Sequence, residues 1–131
     1  MGRNRVSETI VLKSHQIGEI HKGVILFSRN HGLISAIAHG AARPKGRLLG
    51  AVGQFTYSRS YFYHDPVKDQ YTLKDAEVIE VFSRLRKNLH AFAVASASAE
   101  LFLRTYGGGE DPEPAFVLLL GVLYGIEEAE G

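Results

Sequence analysis

Short bursts of apolar residues, separated by turn-forming residues, fill the first part of the chain, and their pattern is that of β-strands. Thr9-Ile10-Val11-Leu12-Lys13 opens the series. Val24-Ile25-Leu26-Phe27 follows after Gly18 and Gly23, and Leu33 to Ala38 comes after an Asn30-His31-Gly32 turn. Two more strands are predicted over 54–63 and 71–82, parted by His64-Asp65-Pro66, whose proline presets a turn. Five short strands within roughly 75 residues predict a small closed barrel, for which the OB-fold is the commonest five-stranded solution.

The period changes after residue 82. Leu85, Leu89, Phe92, Ala99, Leu103 and Tyr106 recur at helical spacing. They predict one helix from near Ser83 to the Gly107-Gly108-Gly109 run, with Leu85, Leu89, Phe92 and Leu103 on its buried side. A second helix is capped by Asp111, takes Pro112 and Pro114 in its first turn, and presents Phe116, Val117, Leu119, Leu120 and Leu123 as an apolar face. The class is therefore α+β, with a barrel domain over 1–82 and a helical segment over 83–131. Glu127, Glu128 and Glu130 sit where the macrodipole of that second helix disfavours negative charge. A truncated carboxy-terminal domain and a frayed acidic tail both account for them.

Charge changes the picture more than composition does. The net charge of +1 conceals eleven Lys or Arg against five Asp or Glu in residues 1–75, and four against nine in 76–131. A polyanionic partner suits the first part alone; two ordinary surfaces of chance composition are the alternative. With no cysteine in 131 residues, neither a disulfide framework nor a thiolate metal site is available, and a cytoplasmic protein is the simplest reading. The longest apolar run, 116–126, is too short to cross a bilayer. Gly18 and Gly23 have P-loop spacing, but Val24-Ile25 stands where phosphate and magnesium need Lys-Ser/Thr. His15, His21, His31, His39, His64 and His90 lack metal-ligand spacing, and no nucleophile motif occurs. The reading is of a non-enzymatic protein with no cofactor and no metal.

The chemistry concentrates in residues 39–63. Arg43, Lys45 and Arg47 are spaced by two, and Pro44 biases Arg43 toward extended backbone, so the cations are expected on one side, about 6.6 Å apart. Gly46 gives the loop flexibility, and Leu48 and Leu49 anchor its far end on the barrel. Next come Phe55, Tyr57, Tyr61, Phe62 and Tyr63. Strict alternation would bury Arg59 with an inward aromatic face, so a bulge near 56–58 is expected. It puts Phe55 in the core, turns Ser58, Ser60 and Phe62 inward, and leaves Arg59, Tyr61 and Tyr63 outward. Exposed tyrosines beside arginine can stack on unpaired bases. The candidate DNA-binding set is Arg43, Lys45, Arg47, Arg59, Tyr61 and Tyr63, completed by Lys22, Arg29 and Lys68. A protein-interaction barrel whose basic face docks an acidic partner tail is the rival reading.

The runs IVLKSHQIGE from Ile10, VILFSRNHGLISAIAHGAARPKGRL from Val24, QFTYSRSYFY from Gln54 and DAEVIEVFSRLRKNLHAFAVASASAEL from Asp75 resemble the amino-terminal portion of the RecO family of bacterial recombination mediators. The resemblance spans Thr9 to about Leu123. It implies an OB-fold followed by a helical domain and a nucleoid-associated role in DNA repair. It further implies binding of single- and double-stranded DNA, strand annealing, and work with RecR to load RecA onto DNA coated by single-stranded-DNA-binding protein. Relatives that continue further often carry a cysteine zinc module, which this chain lacks. Ile20-His21-Lys22 stands where they often have an acidic residue, so this loop is more basic.

Overall fold

In the computed structural model, which describes residues 2–108 and 111–129, five strands close into a barrel. They are β1 (Arg3–Ile17), β2 (His21–Ser28), β3 (Gly32–Ala38), β4 (Tyr57–Asp65) and β5 (Gln70–Glu80). Gly109 and Glu130 lie outside the described residues. The order around the barrel is β1-β2-β3-β5-β4, antiparallel except for the short parallel contact of β3 with β5, which is the OB-fold arrangement. β1 is long because it serves two partners. Its first half pairs with β4, and past a bulge between Val11 and Lys13 its second half pairs only with β2.

Alternation gives the barrel two apolar faces. Val11, Val24, Leu26, Ile34, Ala36, Phe62 and Leu73 fill the interior. Ile10, Leu12, Phe27, Phe55 and Tyr57 belong to a second cluster with Leu85, Ala95, Ala99, Phe116, Leu119 and Leu123 of the helices. Phe27 is its hub, with ring centroids 4.8 Å from Phe102, 5.0 Å from Tyr106 and 6.2 Å from Phe116. Each such buried aromatic contributes about 1.5 to 3 kcal/mol, so the helices hold firmly to one side of the barrel and leave the rest open.

The helical part corrects the prediction of one long first helix. Among the described residues there are three α-helices, α1 (Ser83–Lys87), α2 (Leu89–Thr105) and α3 (Glu113–Ala129). The break falls at Asn88, whose extended backbone (φ −104°, ψ 116°) lets its side chain accept from the Ala91 N–H at 2.9 Å and cap α2. Leu89 is thereby the first residue of a new helix and is 87% exposed, not buried. Leu85 is buried, and Phe92 and Leu103 pack on the core as expected. In α3, Phe116, Leu119 and Leu123 are buried, whereas Val117 is exposed. Glu127 has a structural use: its carboxylate accepts from the N–H groups of Arg84 (3.1 Å) and Leu85 (2.8 Å), capping the free start of α1.

The β4 expectation holds in outcome and differs in cause. Ser58, Ser60 and Phe62 point inward, Phe55 is core, Arg59 is exposed, and Tyr61 and Tyr63 are half-buried on the outer side. The extra residues lie in the partner strand. Tyr57 pairs with Glu80 but Ser58 with Val78, and Tyr61 pairs with Asp75 but Phe62 with Leu73, so Ile79 and Lys74 are the bulged positions on β5. Tyr57 shares the outer face with Arg59 and is buried because the helices cover that end. Gln54 and Phe55 precede the strand rather than starting it, and Phe55 takes a left-handed φ of 68°.

Candidate nucleic-acid interface

The segment between β3 and β4 is a succession of tight turns, not the extended run expected from Pro44. The Gly46 N–H donates to the Arg43 carbonyl at 2.9 Å, so Arg43-Pro44-Lys45-Gly46 is a β-turn with proline at its second position. Proline fixes its own φ equally well for extended and turned chains, and Gly46 decides between them. A Cβ at Gly46 would lie 2.5 Å from the Gly40 carbonyl, so only glycine allows the two turns to meet. Arg43, Lys45 and Arg47 consequently surround a concavity of about 740 Å³ together with His39, Gly40, Pro44 and Gly46. Leu48 anchors the far end in the barrel interior, while Leu49 stays exposed.

From this turn the cationic surface continues onto β5 and β4. Arg47 approaches Asp75 at 3.8 Å and donates to the Lys74 carbonyl. Asp75 is in register with Tyr61, and Glu77 with Arg59. Arg59 donates to the Tyr61 hydroxyl at 3.3 Å and lies 6.0 Å from that ring's centroid, and the hydroxyl donates in turn to Glu77. The Tyr61 hydroxyl is thus held between a cation and an anion, and its ring is positioned on the outer face. Lys74, swung out by its bulge, sits 5.9 Å from the centre of the Tyr63 ring. Asn4, Arg5, Val6, Tyr61, Phe62 and Lys74 line a second hollow of about 330 Å³ beside it.

Six of the nine candidate residues, Arg43, Lys45, Arg47, Arg59, Tyr61 and Tyr63, therefore share one surface. Lys22 is half-buried in register with Ala38, just before the basic turn begins. Lys68 is exposed in the β4–β5 turn, where its N–H and that of Val67 are bound by Asp65. Arg29 has different work. Its guanidinium pairs with Glu8 (3.1 Å) and Glu113 (2.8 Å) and lies over Phe116, joining the barrel to α3. The hydrogen bond to Glu113 is the main cause that raises its pKa. Glu8 also accepts from the Tyr57 hydroxyl at 2.6 Å; burial first, and this bond second, push that phenol up to about 12.

Sequence reasoning missed Lys74 and Arg5. Neither stands in the cation-rich run, and only the bulge and the β1–β4 pairing bring them to the tyrosines. Arg5 also approaches Nδ1 of His31 at 3.2 Å, and burial, then this cation, lower the His31 pKa.

Residues 3–82 match the family described as Recombination protein O N terminal, which is more than half of the chain. The chain belongs to the RecO amino-terminal family. Similar proteins named DNA repair protein RecO include those of Pelotomaculum thermopropionicum, 40% identical over 117 residues, and Salinibacter ruber, 32% identical over 125. That of a Thermoanaerobacter species is 30% identical over 124 residues. These alignments cover 89%, 95% and 95% of this chain but 45%, 48% and 49% of the relatives, so the chain spans about half their length. The RecO match takes in the whole barrel, and with it every residue of the surface just described.

Proposed function

We propose that this RecO-family chain binds single-stranded DNA along the surface from the basic turn to Tyr61 and Tyr63, and promotes annealing of complementary strands. In the cell this serves recombinational repair, with RecR and the single-stranded-DNA-binding protein as partners in loading RecA. The continuity of the cationic concavity with the Arg59–Tyr61 and Lys74–Tyr63 pairs supports the reading. Phosphates neutralised at the turn reduce repulsion between two strands, and rings beyond it hold bases unpaired until a complement arrives. No covalent step is needed. Asp75 and Glu77 among the cations keep binding modest, which lets the annealed product leave.

Titration of a labelled oligonucleotide at several salt concentrations, with annealing of its complement measured in parallel, tests the proposal. Salt-dependent binding with weak sequence preference and accelerated annealing is expected. Binding to an acidic peptide, with none to oligonucleotides at low salt, would overturn it in favour of a protein-docking barrel.

A further inference from the structure

The basic turn is held to the β1–β2 connection by two hydrogen bonds. The Ala42 N–H donates to the Ile20 carbonyl at 2.8 Å, and the Gly40 N–H donates to Nδ1 of His21 at 2.9 Å. Gly40 is the hinge of the arrangement. Its φ of +73° suits glycine, its carbonyl accepts from the Arg43 N–H at 3.1 Å, and the same carbonyl is the surface against which Gly46 packs. The His39 ring meets His21 edge-on, 5.0 Å between centroids, and lines the concavity with the three cations.

We propose that His21 is the positioning residue of the basic turn, and that its neutral imidazole holds the turn while its protonation releases it; this rests on the DNA-binding reading above. A ring nitrogen that accepts from a backbone N–H must carry a lone pair, whereas imidazolium donates from both nitrogens and accepts at neither. Histidine as a side chain ordinarily changes charge between about pH 5 and 8, so that interval is the one to test. Within the adjoining stretches 15–22 and 39–47 the other charged or titratable groups are His15 on β1, Glu19 in the β1–β2 turn, Lys22 on β2, and His39, Arg43, Lys45 and Arg47 on the turn. Apart from Glu19, these are cations or become cations on acidification. Their charge alone would tighten DNA binding at low pH, opposite in sign to release of the turn.

His21→Asn separates the two effects, because asparagine offers an acceptor oxygen near the place of Nδ1 and does not ionise. Binding of a labelled oligothymidine is measured at about pH 8 and about pH 5, the two ends of histidine's range. Wild type and His21→Asn should bind alike at the higher pH. At the lower, wild type should bind about three- to tenfold more weakly than His21→Asn, the range that loss of one hydrogen bond gives. His21→Ala should be weaker than His21→Asn by a similar factor at both. The Gly40 amide protection factor, measured without DNA, should fall on acidification in wild type and persist in His21→Asn. Superimposable pH profiles and unchanged Gly40 protection would overturn the role of His21 while leaving DNA binding intact. Absence of binding in every protein would overturn the DNA reading instead, and Gly40 protection would still decide the positioning role.

Discussion

Replacing Arg43, Lys45 and Arg47 together by alanine should make single-strand binding weaker and also less sensitive to salt. Neither Arg43 nor Lys45 has an ion-pair partner among the described residues, so each is available to a phosphate. Arg47 already leans on Asp75 at 3.8 Å and on the Lys74 carbonyl, and it releases a counterion only if it leaves them. Each phosphate neutralised on a single strand contributes about 0.7 to the slope of log affinity against log salt. Two contacts therefore remove about 1.4 from the slope and three about 2.1. Between about 50 and 200 mM salt, the deficit of the triple variant should shrink about sevenfold for two contacts and about eighteenfold for three. Fluorescence anisotropy across that range reads the slope directly. Folding should survive, because the turn is held by backbone bonds and by Leu48, and all three replaced side chains are exposed. Parallel slopes for wild type and a folded triple variant would refute the assignment, and Lys22, Arg59 and Lys74 would become the cations to test.

Tyr61→Ala should cost about 1 to 3 kcal/mol of single-strand affinity with the salt slope unchanged, since a stacked ring releases no counterion; a shallower slope would mean that Tyr61 acts through Arg59. Arg29→Ala should destabilise the fold by about 0.5 to 2 kcal/mol in urea denaturation, because Glu8 and Glu113 lose a shared, partly solvated partner, and should leave the salt slope intact. A binding defect without lost stability would contradict the tethering role. Burial and Arg5 hold the folded His31 pKa below its unfolded value, so the unfolded chain takes up the proton first. The stability this provides is full above the ordinary histidine value of about 6.5 and declines as pH falls through the lower folded pKa. Urea midpoints followed across that window should fall less steeply for His31→Gln than for wild type.

Alternation and turn chemistry by themselves determined that there would be five strands, a barrel, and a helical part beginning near Ser83. These are properties of neighbouring residues, and a period of two or of 3.6 survives whatever the chain packs against. They also marked the basic segment, though not its turned form, and the outward placing of Arg59, Tyr61 and Tyr63 came out right through a bulge expected near 56–58 whose extra residues lie in β5. The Asn88 break was legible in principle, since asparagine ahead of a helical run is a capping signal. Tertiary structure decided the rest, because distant residues compete for the same group. Arg29 looks like any surface cation until Glu8, Glu113 and Phe116 converge on it from two other elements. Tyr57 and Tyr61 share one face of β4, and only the helices packed over one end make the first buried and leave the second available. Lys74 reaches Tyr63 through a register shift in β5 that no local pattern encodes, and the cations of the turn close around a concavity because Gly46 meets Gly40. Periodicity tells which way a side chain points; what covers it, or pairs with it, is settled by segments far away along the chain.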